Sequence, residues 1–387
     1  MENKTYGILG QNLKNSCLSE FYRYLGISDF NSFEITQDKL SSFIKAREFD
    51  GLSVTVPYMR TVMPLLSKTS ELARKIGCVN TVIKNENGKL FGENTEVYGF
   101  LFLLDFYGID VSGKSCLIIG DGSGSIAAAK LALEYKGAAE MWGMTRTAGV
   151  RLADYEKIAD VEIIINTVVI GSSAEEKALN IEGLEKLEAV IDINCRPFNT
   201  KLISDAKAMG IPTYDGFLML SAQAKRTKEL FSGEDIDDSV VPTCADAVKK
   251  EFLSIALIGA ADVDKAEIGK ILAQKLGKRH VDIDATVDML YGKAAHKEGE
   301  TEFRRVEHVA AEWAGKRAGL VISAGDGIVA RPDNRISLSQ NGIIVFLNSD
   351  GACDDRLSLY REWCDHEVEY SQSIEETVDK IIEILDF

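Results

Sequence analysis

The sequence predicts an α/β protein built on parallel sheets and divided into successive domains. Three observations predict it. Short apolar runs alternate with segments of helical periodicity along most of the chain. One apolar run feeds a glycine-rich turn that opens into a small-residue helix. The alternation then halts at an acidic stretch and restarts, within a length of 387 residues that suits two or three domains.

The elements follow in order. Tyr6–Leu9, Gly51–Val56, Ser115–Gly120, Val161–Asn166 and Ala189–Ile193 are short apolar runs and predict strands. Ser67–Ile76, Ser125–Tyr135 and Lys201–Met209 carry helical spacing. Ser232–Pro242 is acidic, contains GEDIDD and predicts a linker. Beyond it come strand Ser254–Ile258, helix Asp264–Leu276, strand Val281–Ile283, helix Glu302–Ala314, and strands Leu320–Ser323 and Ile343–Leu347. An amphipathic helix over Ser373–Leu385 closes the chain.

Composition excludes several classes. Hydrophobic residues make up 45%, enough for a core in each domain. No apolar run reaches the roughly 18 residues of a membrane span, and MENKTYGILG lacks a signal-peptide core, so a cytosolic protein is expected. A formal charge of −16 argues against nonspecific nucleic-acid or membrane-surface binding. Seven cysteines are scattered singly and read as reduced thiols. His280, His296, His308 and His366 show no metal or triad spacing, so no metal site is expected. Trp142, Trp313 and Trp363 read as packing residues.

The first chemical signal is SCLIIGDGSG, Ser115–Gly124. Gly120, Gly122 and Gly124, with Ser123 between them, would let the backbone turn tightly against a pyrophosphate. The helix that follows would offer free N–H groups and its positive end. The next strand, Glu140–Met144, runs into Thr145 and Arg146. An acid there would hold a ribose hydroxyl; an arginine suits a 2′-phosphate and favours NADP(H) over NAD. The alternative is a plain surface arginine after a strand.

YGILGQNLKN, GLSVTVPYMR, GCVNTV, GENTEVYGF, IIGDGSG, TRT, DINCRP and GFLMLSAQA resemble, in order and rough spacing, the shikimate dehydrogenase family over residues 5–232. The resemblance implies a substrate-binding domain at 1–97 to which helix 217–232 returns, and a Rossmann NADP-binding domain at 98–216. It places Thr55, Asn80 and Gln223 against substrate hydroxyls, and Asn12 and Lys14 where a serine pair grips a carboxylate. Backbone capping is the competing reading for Thr55, Asn80 and Asn94. A family tyrosine that touches substrate maps to Cys195. The Asn-x-Thr-Pro turn near the nicotinamide becomes Asn166-Thr167-Val168-Val169.

The family ends GLSVTVPYMR with a lysine where Met59 stands. Removing a hydroxyl proton during hydride transfer is general acid–base work worth roughly 10²–10⁴-fold, and a thioether cannot do it. Arg60, in an extended segment, would point to the opposite side and stays protonated. The partner aspartate becomes Glu96, one methylene longer, which leaves Glu96 as the candidate catalytic carboxylate.

SIALIGAADVDKAEIGKILAQKLGKRHVDI resembles the opening of a shikimate kinase, a P-loop fold, over residues 252–387 after a linker at 233–251. Lys265 keeps the P-loop lysine. Asp262 and Asp264 replace glycines, and Ala266 replaces the Mg²⁺-binding hydroxyl, which argues against ATP and Mg²⁺. Asp284, Arg304 and Arg356 match the family's substrate contacts. Gly325-Asp326-Gly327 stands for a triple-glycine turn, and the family's mobile lid before Arg356, with its catalytic arginine, is deleted. Three functions stay open. One is an NADP-dependent dehydrogenase with altered proton chemistry. Another is a ligand-binding pseudoenzyme of the shikimate pathway, with a homodimer or a pathway enzyme as its partner. The third is a bifunctional dehydrogenase–kinase, which the P-loop changes oppose.

Overall fold

A computed structural model describes residues 4–13, 16–120, 124–145, 158–168, 179–292, 299–349, 355–371 and 373–387, with Thr145 described by its backbone alone. The chain divides into two compact units, residues 1–195 with 200–248, and residues 196–199 with 249–387.

The first unit holds two sheets. One has six strands in the order β2-β1-β3-β5-β6-β4: β1 Tyr6–Gly10, β2 Phe30–Glu34, β3 Gly51–Val54, β4 Lys68–Thr69, β5 Thr81–Lys84 and β6 Leu90–Glu93. It is mixed: β1 pairs parallel with β2 and β3, while β5 runs antiparallel to β3 and β6. The helices of this part are α1 Leu18–Tyr24, α2 Leu40–Ala46, α3 Tyr58–Thr61 and α4 Glu71–Ile76.

The second sheet is wholly parallel, in the order β11-β10-β9-β7-β8. Its strands are β7 Ser115–Gly120, β8 Glu140–Thr145, β9 Ile163–Asn166, β10 Ala189–Asp192 and β11 Thr213–Asp215. The central strands β9 and β10 are buried at every position, as a parallel sheet covered on both faces demands. α5 Glu96–Tyr107 and α6 Gly124–Tyr135 pack on one face, and α7 Lys201–Ala208 on the other. α8 Phe217–Ser232 then returns against α5 and α1.

The second unit is a parallel sheet in the order β13-β14-β12-β15-β16: β12 Ser254–Ile258, β13 Arg279–Asp282, β14 Leu320–Ser323, β15 Gly342–Asn348 and β16 His366–Glu369. α10 Lys265–Lys275, α11 Ile283–Tyr291, α12 Glu300–Gly315, α13 Asp333–Ser339, α14 Leu357–Trp363 and α15 Ile374–Ile384 cover it.

Five expectations change. The helix expected over Ser67–Ile76 starts only at Glu71, because the Ser70 hydroxyl accepts the Ala73 N–H and caps it, while Lys68–Thr69 joins the sheet edge. The strand from Gly51 ends at Val54. Residues 58–61 form a turn of helix rather than an extended segment, and the charge of Arg60 acts on the Cys78 thiol. The expected linker is largely helix, α9 Val240–Phe252. Ahead of it Asp238 pairs with Lys225 at 2.7 Å and accepts the Tyr98 hydroxyl at 2.9 Å. Of the tryptophans, Trp363 is buried, but Trp142 and Trp313 lie at the surface, with the Arg317 guanidinium over the Trp313 ring at 3.9 Å.

No described helix is long and apolar enough to cross a membrane. Among the described residues six cysteines form no disulfide, five of them buried; Cys353 lies outside the described residues.

Candidate functional site

A cleft of about 230 Å³ opens in the first unit where the C-terminal end of β3, the start of α5, the middle of α8 and the head of α6 converge. The turn after β3 brings Thr55 and Met59 to it. β5 begins beside Asn80, α8 contributes Gln223, and α5 opens with Glu96. Gly99 of α5 makes the approach of α8 possible, since a side chain there would strike Gln223 and the Met219 carbonyl. Four of the positions assigned to the ligand site from the sequence (Thr55, Asn80, Gln223 and Glu96) therefore line one cavity, with Met59 among them.

The floor is a closed polar network. Asn80 Oδ1 accepts the Thr95 N–H at 2.9 Å and the Thr81 hydroxyl at 3.1 Å, while its Nδ2 donates to Thr95 Oγ1 at 3.0 Å. The Thr227 hydroxyl of α8 lies 3.0 Å from that of Thr81 and 3.3 Å from that of Thr95. Asn80 thus does cap backbone, as the competing reading held, and also faces the cleft. Tyr22 closes one wall. Burial pushes its hydroxyl up to about 12, with bonds to Ser53 and Thr227 acting the other way.

Glu96 is the first residue of α5 and only 6% exposed. Ser125 Oγ donates to its Oε1 at 2.7 Å, and Asn94 Nδ2 donates to its Oε2 at 3.1 Å. Burial raises its pKa above the usual carboxylate range, and the two donors act in the opposite direction. Among the described residues no cation pairs with it. Met59, half-buried, packs between the cores of the two sheets and offers no proton.

Other expectations separate from this cavity. Asn12 is exposed with φ 56° and does not line it. Cys195 is buried outside the lining, and Asn194 lines it instead. Lys14, Gly122, Ser123 and Arg146 lie outside the described residues, as does the Thr145 side chain. Gly120 and Gly124 sit at the end of β7 and the start of α6. A side chain at Gly120 would strike Ile126 and Thr167, and one at Gly124 would strike Cys78 Sγ. The crowding at the end of β7 and the start of α6 fits a dinucleotide approached by backbone. Thr167, of the turn expected near the nicotinamide, lines the cleft; sequence reasoning missed Ser125, Asn194 and the buried Asp192, which accepts Asn166 Nδ2 and Thr200 Oγ1, both at 2.9 Å. Serine after a glycine turn is the only signal that could have pointed to Ser125.

The second unit gathers its expected residues around a closed turn. Lys265 Nζ donates to the Ala260 carbonyl at 2.6 Å, and burial pulls its pKa down. Asp264 caps α10 by accepting the Glu267 N–H at 3.0 Å, so a side-chain carboxylate occupies the helix end that would receive phosphate. Arg356 pairs with Asp326 at 2.7 Å, and Arg304 with the buried Glu307 at 3.0 Å. Burial first, then the charges of Asp282 and Asp326, push Asp284 up. Among the described residues no cluster of histidine, cysteine and carboxylate suits a metal ion.

Comparison with known proteins returns the same two families. Residues 10–82 match the family model of the shikimate dehydrogenase substrate binding domain, and residues 263–352 match that of shikimate kinase. A shikimate dehydrogenase (NADP(+)) of Aquifex aeolicus is 31% identical over 258 residues, which cover 62% of this chain and 95% of the relative. The crystal structure of shikimate dehydrogenase from the same organism superposes with a TM-score of 0.55 at 31% identity, covering 63% of this chain and 99% of that one. A Thermus thermophilus shikimate 5-dehydrogenase, solved with NADP(H) and shikimate, gives 0.56 at 26% identity, covering 64% and 100%.

Proposed function

Given that the chain belongs to the shikimate dehydrogenase family and carries a shikimate kinase-like module, we propose that it binds NADP(H) and a shikimate-type cyclic hydroxy-acid without oxidising shikimate at the family's rate. It is then a binding or regulatory pseudoenzyme of that pathway. The observation that carries this reading is Met59 in the same cleft as Thr55, Asn80, Gln223 and Glu96.

In this reading Thr55, Asn80 and Gln223 hold ring hydroxyls and Lys14 takes the carboxylate, while Asn12, outside the cleft lining, has no part in it. Gly120, Gly122, Ser123 and Gly124 receive the pyrophosphate, with Thr145 and Arg146 at the 2′-phosphate. A bound nicotinamide would supply hydride chemistry. The chain would have to remove the hydroxyl proton, and Met59 has no basic atom for it. Glu96 then acts chiefly as a hydrogen-bond acceptor for the ligand. The division into a substrate domain at 1–97 with 217–232, a nucleotide domain at 98–216 and a kinase-like domain from 252 belongs to the same proposal.

In the second module Asp284, Arg304 and Arg356 are the candidate ligand contacts. The Arg356–Asp326 pair supports a pocket whose own carboxylate competes with any acidic ligand. Lys265 on a loop carbonyl, the Asp264 cap and Ala266 support the absence of kinase activity.

One observation favours an active NADP-dependent dehydrogenase instead. Glu96 is a buried carboxyl with a raised pKa, and such a group can serve as a base unaided. Calorimetry with shikimate, quinate, dehydroshikimate and NADP(H), followed by an absorbance assay at the nicotinamide band, separates the two. Binding without absorbance change supports the pseudoenzyme; turnover supports the dehydrogenase; no binding removes both.

A further inference from the structure

Two helices begin at the Glu96 carboxyl. Glu96 is the first residue of α5, and Ser125, which donates to it at 2.7 Å, is the second residue of α6. α6 follows β7 after residues 121–123, which lie outside the described residues. The second carboxylate oxygen takes Asn94 Nδ2, which also reaches Cys78 Sγ at 3.3 Å, and Cys78 in turn presses on Gly124. Glu96, Ser125, Gly124 and Cys78 thus form one packed unit joining the cleft to the head of α6. The serine hydroxyl is the only side-chain hydrogen bond from α6 to Glu96 among the described residues.

We propose that Ser125 is a positioning residue: it fixes the Glu96 carboxyl across the cleft and links its charge to the nucleotide that would bind at the head of α6. The linkage half rests on the nucleotide reading above; the positioning half does not. A neutral hydroxyl donor favours the ionised carboxylate, while an added phosphate at the same helix head disfavours it by like charge. Polyanion binding and ionisation of Glu96 therefore oppose each other, and linkage makes the opposition reciprocal. The other titratable groups facing this unit are Cys78, whose thiol burial pushes up to about 12 with the Glu96 charge adding to it, and Arg60, which acts on that thiol in the opposite direction.

The test is an NMR titration of protein labelled with ¹³C at the glutamate side-chain carboxyl, with Glu96→Gln assigning the resonance. Ser125→Ala should move the Glu96 midpoint upward, and Ser125→Thr, which keeps the hydroxyl, should return it towards the parent. Adding NADPH, whose dihydronicotinamide is neutral, to the parent should also move it upward, and NADPH affinity should fall as pH rises through that midpoint. An unmoved midpoint in a folded Ser125→Ala overturns positioning. If that variant does not fold, failure of Ser125→Thr to keep the parent midpoint overturns it. An unmoved midpoint in parent saturated with NADPH overturns linkage, and the absence of NADPH binding by calorimetry overturns linkage together with the nucleotide reading.

Discussion

Met59→Lys puts an ammonium-bearing arm of similar length into the cleft that also holds Glu96. Settled within about 4 Å of the carboxylate, the two charges would attract by roughly 4 kcal/mol at the effective dielectric of a partly screened site, before the cost of desolvating the new ammonium. Two results follow from that geometry. Glu96, which burial now holds above the usual carboxylate range, gains a counter-charge and drops. The hydroxyl proton gains an acceptor, and general acid–base catalysis of this kind is worth about 10²–10⁴-fold, or roughly 3–5 kcal/mol of barrier. The assay is the rate of NADPH appearance with shikimate and NADP⁺, run beside calorimetry so that both ligands are known to be bound. A gain of at least about 10² over the parent agrees with the reasoning. A Met59→Lys protein that binds both ligands and gains nothing refutes it, because the missing base would then not be what stops the reaction.

Four further outcomes are expected. Because the folded-state pKa of Glu96 lies above its unfolded value, the stability tied to it is complete below the unfolded value and is lost as pH rises through the folded one; unfolding free energies of the parent should fall across that window while those of Glu96→Gln stay flatter. Lys225 is 5% exposed and bridges the buried Glu229 and the exposed Asp238, so Lys225→Met strands a buried carboxylate still held by Arg226; denaturant melts should show a loss of about 3 kcal/mol. The parent should prefer NADPH to NADH, and Arg146→Ala should erase the difference in a fluorescence titration; equal affinities in the parent would remove the 2′-phosphate role. Mg-ATP should leave the melting of the second unit unchanged, whereas true binding at 100-fold over Kd would add about 2.7 kcal/mol and a visible shift.

Much of this fold is legible in the sequence because parallel strands buried on both faces are continuous apolar runs. Ser115–Gly120, Ser254–Ile258 and Leu320–Ser323 have the same bounds in the sequence and in the structure. Amphipathic helices such as Ile374–Ile384 are nearly as plain. The short elements are not. α11 and α13 are nine and seven residues long, too short for a periodicity to declare itself, and β16 alternates polar residues at a sheet edge. The helix Val240–Phe252 was hidden by the acidic run before it, whose Asp238 turns out to be a tether for Lys225.

The site divides in the same manner. Thr55, Asn80, Glu96 and Gln223 were recoverable because their motifs stand in a family's order. The hydrogen bond from Ser125 to Glu96 was not, since it depends on how α6 sits against α5, a distance that no local pattern encodes. Asn12 lies outside the cleft lining, exposed and in the left-handed region just past β1, a placement that its position in a family motif does not convey.

The most direct measurement is a single-turnover experiment on the unmodified protein, with NADP⁺ and shikimate both saturating by calorimetry and absorbance followed at the nicotinamide band. The account predicts a formed ternary complex and no NADPH beyond the rate seen with Glu96→Gln. NADPH formed in a burst at a rate ordinary for a dehydrogenase would contradict it.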